Sequence, residues 1–364
     1  YKMGKNLLIV TQKVDKNDQL LGFFIDWVSR FAQKFGKITI LCLEKGEFNL
    51  PSNVRVLSLG KDRGAGKLKQ LFTFYFLLFT LQKDYDAVFV HMNPIWVVLG
   101  GLSWRMMNKK IFLWYTHKSV TWKLKLAEKL ANTIFTASSE SFRLPSKKII
   151  VTGHGIDTEL FKPMIITDTE PRITTDKISG NQALNPRESV IKILSIGRIA
   201  EVKNYETLVR AAKILKDKDI GFSITMIGEP ALKKDFVYEQ KLKSLIDELG
   251  LRADFNFLGK INHRDLPLYY QSHNLFIHLS KTGSLDKAIL EAMACGMNVL
   301  SSSDSARSFL AAELIFDENN VQELADKIKK TDEKEFSGQL RQYVVENHNL
   351  NKLIDKIAGL IIKK

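Results

Sequence analysis

The sequence predicts two doubly wound α/β domains in tandem. Three observations carry that expectation. Short, continuously apolar, β-rich runs alternate with helical patterns along the chain, which describes parallel strands buried on both faces and covered by helices. The alternation is interrupted once, by the polar stretch "PMIITDTEPRITTDKISGNQALNPRES", which has no clean period and three prolines. The length of 364 residues suits about two domains of ~150 residues.

The elements follow in order. The first domain, residues 1–165, offers the strands "NLLIVTQ", "KITILCLEK", "VRVLSLG", "DAVFVHM", "KIFLWYTH", "TIFTASSE" and "KKIIVTG". Its first helix is read in "LLGFFIDWVSRFAQKF". Residues 166–189 form a linker or long loop. The second domain, 190–340, restarts with "IKILSIGR" and continues with "FSITMIGE", "DFNFLGK", "NLFIHLS" and "MNVLSSS". Helices are read in "NYETLVRAAKILKD" and "EQKLKSLIDELG", the latter closed by Gly250. Residues 341–364 close the chain as an amphipathic helix, placed as crossing back to the first domain. In sheets of this kind ligands bind beyond the carboxyl ends of the strands, so two facing domains predict a cleft with one ligand on each side.

The composition is that of a globular protein, 45% hydrophobic and 10% aromatic. Cys42 and Cys295 each lie inside an apolar element, which predicts packed thiols in a reducing compartment. The chain enters its first strand soon after Met3, so no signal peptide is expected and the protein is placed in the cytoplasm. Through residue 165 there are 25 Lys+Arg against 12 Asp+Glu; the remainder has 29 against 28. The basic first half predicts an anionic partner, which suggests peripheral placement at the inner face of a membrane. The longest lipid-like run, "LFTFYFLLFTL", is too short to span a bilayer, which takes about 20 residues. Apolar all round, it reads as a buried helix, with an interfacial one as the alternative.

Several residues carry candidate chemistry. In "SIGRIAEVKNYETL", Arg198 and Lys203 follow Gly197 at a strand end and precede a helix, an arrangement of charge, donors and dipole that suits a diphosphate. "KTGSLDKAILEAMACG" repeats the design. Gly283 and Ser284 offer backbone N–H groups before a helix that starts near Leu285, with Asp286 in its first turn. Glu291 lies two turns on, in an apolar setting that predicts burial and a need for a partner. Gly228, closing its strand, joins the donor-side group. On the acceptor side stand Asp15, Asp18 and Gly22 in the loop after the first strand, and His154 in the Gly-flanked loop "TGHGID", which reads either as facing the cleft or as merely making a turn. The two aspartates read equally as solvated loop residues. His91 and His117 end strands, His117 the stronger candidate. "GKDRGAGKL" has the wrong glycine spacing for a phosphate loop, and "DYDA" reads as a turn before a strand.

"GRIAEVKNYETLVRA" followed by "SKTGSLDKAILEAMACGMNVL" resembles the second-domain signature of the retaining, nucleotide-sugar-dependent glycosyltransferases of GT-B fold (family 4, group 1 type). "YTH" and "GHGIDTELF" agree more weakly. The resemblance implies that Arg198 and Lys203 hold the donor diphosphate, that Glu291 takes the ribose as the second carboxylate of the Glu-x7-Glu motif, and that His117 is the active-site histidine. Gly283 stands where the family has its first carboxylate, which leaves Asp286 or Lys287 to contact the sugar. The implied reaction moves a sugar from a UDP- or GDP-sugar to a glycan or lipid-linked acceptor, with no metal or other cofactor. Rival expectations are a nucleotide-sugar binder without transfer activity, an epimerase or phosphorylase on the same fold, and, remotely, a nucleic-acid-binding protein, for which no recognition motif is present.

Overall fold

The computed structural model describes residues 4–18, 21–164, 190–281, 285–330 and 336–363. They divide into two compact units. The first comprises the chain through Asp157 together with Glu346–Lys364, and the second runs from Thr158 to Val345. The first unit therefore ends at Asp157 rather than 165, the second extends to Val345 rather than 340, and the expected linker at 166–189 lies outside the described residues.

The first unit carries a seven-stranded parallel sheet in the order β3-β2-β1-β4-β5-β6-β7. Its strands are β1 (Leu7–Val14), β2 (Ile38–Lys45), β3 (Val54–Ser58), β4 (Ala87–His91), β5 (Lys110–Trp114), β6 (Thr133–Thr136) and β7 (Ile149–Val151). Alternation along the strands feeds two cores. Leu7, Ile9 and Phe89 point to a layer made by α1 (Phe24–Ala32) and the terminal α11 (Leu350–Lys363). Leu8, Val10 and Val88 point to the opposite layer, made by α2 (Lys67–Thr80), α3 (Ile95–Met106) and α4 (Trp122–Leu130). Each large side chain so buried is worth about 1.5–3 kcal/mol.

Two features of this unit depart from the sequence expectation. α2 is not buried all round: Phe74 and Leu78 enter the core, while Leu68, Phe72, Phe76 and Phe79 face solvent. The C-terminal segment is two helices, α10 (Ser337–Asn347) and α11, not one. The break falls where the chain pairs with the loop after β7. The Ile156 N–H donates to the His348 carbonyl, the Leu350 N–H to the Ile156 carbonyl, and the Asn349 side chain accepts from the Lys352 N–H to start α11.

The second unit has a five-stranded parallel sheet in the order β10-β9-β8-β11-β12. Its strands are β8 (Ile191–Ile196), β9 (Phe222–Ile227), β10 (Phe255–Phe257), β11 (Leu275–His278) and β12 (Asn298–Ser301). Its helices are α5 (Tyr205–Asp217), α6 (Lys233–Glu248), α7 (Leu266–Ser272), α8 (Lys287–Ala294), α9 (Val321–Lys330) and most of α10. The order runs outward from the central β8 to β9 on one side and β11 on the other, so the loops leaving β8 and β11 emerge side by side at the carboxyl edge. Cys42 and Cys295 are both free and buried.

Candidate active site

In the second unit, two glycines shape the edge. Gly228 has φ +138°, and a Cβ there would stand 2.0 Å from the Gly197 carbonyl oxygen, so only glycine lets β8 and β9 end this close together. Beyond Gly197 the chain makes one 3₁₀ turn, Glu201–Lys203, and enters α5 through Asn204 in the left-handed region. A Cβ on Gly197 would be 3.4 Å from Lys203 Cε and 3.7 Å from its Nζ. The lysine side chain thus lies back across the glycine.

Lys203 Nζ forms an ion pair with Asp286 Oδ2. The two loops are also joined through backbone, the Lys281 N–H donating to the Val202 carbonyl at 2.9 Å. Asp286 sits at the N-cap of α8, and its Oδ2 is 3.0 Å from Nε2 of the buried His278. His278 Nδ1 is 2.9 Å from Ser301 Oγ. Burial pushes the Asp286 pKa up, but the Lys203 ammonium and His278 outweigh it and hold the carboxyl well below the usual range. The carboxylate is therefore ionised at any physiological pH. Arg198 has a looser partner, its Nε 3.7 Å from Asp235 Oδ2. Asp235 is buried and already accepts from the Ala231 and Leu232 N–H groups at the start of α6, which leaves the Arg198 guanidinium the more available of the two cations.

Glu291 is 4% exposed. It has two partners, His263 Nε2 at 2.8 Å from Oε1 and the Tyr270 hydroxyl, donating at 3.1 Å to Oε2. Burial raises its pKa, but His263, Lys287 and Tyr270 outweigh that and keep it below the ordinary value. The burial expected from the apolar sequence around Glu291 is present. His263 and Tyr270 were not anticipated, because neither α7 nor the turn before it carries a motif. Leu285 is half-buried beside Asp286. Gly283 and Ser284 lie outside the described residues.

In the first unit, His117 follows β5 at the carboxyl edge of the sheet, exposed, with its ring edge-on to Tyr115 at 5.6 Å. Asp15, Asp18 and Gly22 share the loop after β1. Lys13 Nζ lies 3.4 Å from Asp15 and 3.0 Å from Asp18, and the Leu21 N–H donates to Asp18 Oδ1. A Cβ on Gly22 would stand 2.6 Å from the Asp18 carbonyl oxygen. These residues first of all organise their own loop. His154 is placed differently from its reading as an acceptor contact. It is buried against the C-terminal segment, its N–H donating to His348 Nδ1 at 3.1 Å, between Gly153 and Gly155, both at positive φ. A Cβ on Gly153 would be 2.1 Å from the Asn347 carbonyl oxygen, so this loop is a clasp for the chain end. His91 is likewise buried, stacked on Phe24 at 4.0 Å. Among the described residues no group of three or more His, Cys, Asp or Glu side chains is placed to hold a metal ion.

Residues 176–350 match the family Glycosyl transferases group 1. The chain is 24% identical over 270 residues to the 2-deoxystreptamine N-acetyl-D-glucosaminyltransferase of Niallia circulans, covering 68% of this chain and 67% of that protein. It is 32% identical over 110 residues to the D-inositol 3-phosphate glycosyltransferase of Arthrobacter sp. (strain FB24), covering 30% of this chain and 25% of that one. Among solved structures, Anabaena HepE in complex with UDP and glucose aligns at TM-score 0.76 and 17% identity, over 98% of this chain and 99% of that one. WaaG, a glycosyltransferase involved in lipopolysaccharide biosynthesis, aligns at TM-score 0.68 and 13% identity, over 98% and 99%. These solved structures show the fold, two parallel-sheet α/β domains of GT-B type. The domain match and the named relatives support a glycosyltransferase.

Proposed function

We propose that this chain transfers a sugar from a UDP- or GDP-sugar to a glycan or lipid-linked acceptor, with retention at the anomeric carbon and without a metal. The observation that carries the reading is the second-unit cluster: Lys203 folded over Gly197, with Asp286 against its ammonium, and Arg198, next in the chain to Gly197, paired only loosely with Asp235. HepE in complex with UDP-glucose is a structural neighbour, which supports a nucleotide-sugar ligand on this fold.

In this reading the diphosphate takes Lys203 from Asp286 and is gripped by Arg198 as well. As the anomeric C–O bond breaks, negative charge grows on the leaving diphosphate, and the two fixed cations stabilise it. Glu291, oriented by His263 and Tyr270, accepts from the ribose hydroxyls. Asp286, still held by His278, accepts from the sugar in place of the carboxylate absent at Gly283. His117, with Asp15, Asp18 and Gly22 on the same sheet edge, belongs to the acceptor half of the reaction. The basic first unit brings the protein to an acceptor on an anionic surface.

Donor turnover with labelled nucleotide sugar, with and without acceptor, tests the reading. Lys203→Ala should lower turnover roughly 100-fold, as loss of a single charge-stabilising donor does. Equal rates in wild type and variant would remove Lys203 from catalysis. The glycine at 283 favours one second reading, a protein that binds the nucleotide sugar without transferring it. That reading predicts tight donor binding with no turnover in either protein.

A further inference from the structure

We propose that the outer face of the α2–α3–α4 layer docks on an anionic lipid bilayer. This deepens the reading above, in which the first unit meets a lipid-linked acceptor, by assigning the surface and its partner. On α2, Leu68, Phe72, Phe76 and Phe79 are between 49% and 76% exposed. Their spacing of four, four and three residues puts them on one stripe, roughly 16 Å long at 1.5 Å per residue. The neighbouring helices add Leu102 and Met106, the latter 89% exposed, and Trp122 and Leu126.

The three helices are one continuous layer. The Phe74 ring lies 5.0 Å from that of Trp96 and the Tyr75 hydroxyl donates to the Leu99 carbonyl, which joins α2 to α3. The Arg105 guanidinium donates to the Leu130 and Lys129 carbonyls, which joins α3 to the end of α4. All three bury their inner faces in the same core. Eight large apolar side chains exposed on one layer of packed helices mark an interaction surface rather than scattered surface residues.

Charge decides the partner. The layer carries Lys67, Lys69, Arg105, Lys123, Lys125 and Lys129 against a single acid, Glu128. Glu128 lies 3.7 Å from Lys148, and among the described residues no ion pair joins any of the six cations to a carboxylate. A second copy docking through the same face would set these cations against themselves, which disfavours a symmetric dimer. An anionic bilayer satisfies both features. Phenyl, leucyl and indole groups enter the boundary of headgroups and acyl chains, and the lysines reach the lipid phosphates at its edge. No helix among the described residues is long and apolar enough to cross a membrane, so the contact is with the surface.

The test is co-sedimentation of the full chain with vesicles of phosphatidylcholine alone, or with about 30% phosphatidylglycerol added, at low and high salt. Wild type should pellet with the anionic vesicles at low salt and bind the neutral ones weakly. Phe72→Ser/Phe76→Ser should weaken anionic-vesicle binding about tenfold or more, since each phenyl removed forfeits apolar burial. Phe236→Ser/Val237→Ser, which alters exposed apolar residues of the second unit, should bind as wild type does. Wild type that stays in the supernatant at low salt would overturn the proposal. So would a Phe72→Ser/Phe76→Ser variant that binds unchanged, or a wild-type dimer that sedimentation shows is lost in that variant. The UDP-induced melting shift, measured in the same proteins, reads the donor site separately.

Discussion

Lys203 and Asp286 are 83 residues apart in sequence and in contact in the fold. The lysine stood out as a candidate phosphate ligand from its place between a strand end and a helix. Its pairing did not, because it depends on β8 and β11 lying next to each other. Under the proposed function that pairing makes the cation conditional, since a diphosphate would have to displace the Asp286 carboxylate to reach it. Asp286→Asn removes the competitor and keeps the shape. UDP should then bind about tenfold more tightly, a gain of ~1.4 kcal/mol, with a smaller gain for the UDP-sugar because a sugar contact is weakened too. Calorimetry on the two ligands measures this, and weaker UDP binding in the variant would show that the carboxylate serves the nucleotide itself. Glu291 makes the same point about legibility. Its apolar neighbours announced a buried carboxylate in need of a partner, but only the fold supplies His263 and Tyr270.

The central strands were legible because being buried on both faces leaves a continuous apolar signature, and all twelve expected runs form strands, the partly exposed edge strands β3, β7 and β10 included. Helix faces were less so. In α2 almost every position from Leu71 to Leu81 is apolar, so periodicity gives no clue to which side meets the core; only the packing of Phe74 and Leu78 does. The break between α10 and α11 was hidden for another reason. It is set by pairing with the distant 153–156 loop, in which His348 accepts the His154 N–H. Burial lowers the His348 pKa to about 4. The folded value lies below the unfolded one of about 6.5, so the unfolded chain takes up the proton first. Stability is complete above about pH 6.5 and falls as the pH drops toward 4, by roughly 2 kcal/mol at pH 5. Melting temperature followed from pH 7 to pH 5 should show this, and His348→Asn, whose amide oxygen can take the place of Nδ1, should flatten the dependence. An unchanged slope would assign the acid sensitivity to other groups.

At the scale of the whole molecule, charge and chemistry are divided between the two units. The first holds all of the excess positive charge and an outward apolar layer; the second is nearly neutral and holds the Lys203–Asp286 cluster. The division was legible in composition and in the single interruption of the α/β pattern. The crossing of the C-terminal segment back to the first unit was expected from its amphipathic pattern, but the residues at which the units end were not. The return of the chain to the first unit after Val345 depends on α11 filling the core beside α1, with Leu353, Ile354 and Ile357 buried there.

The proposed function stands or falls with nucleoside diphosphate binding to the second unit through Lys203. Thermal shift of the full chain with UDP, GDP and ADP and their sugars tests it most directly. A ligand at 100 times its dissociation constant should add about 2.7 kcal/mol of stability. UDP or GDP, and its sugar, should raise the melting temperature of wild type, and Lys203→Ala should lose most of that rise. No shift with any of the nucleotides, or an equal shift in wild type and Lys203→Ala, would contradict it.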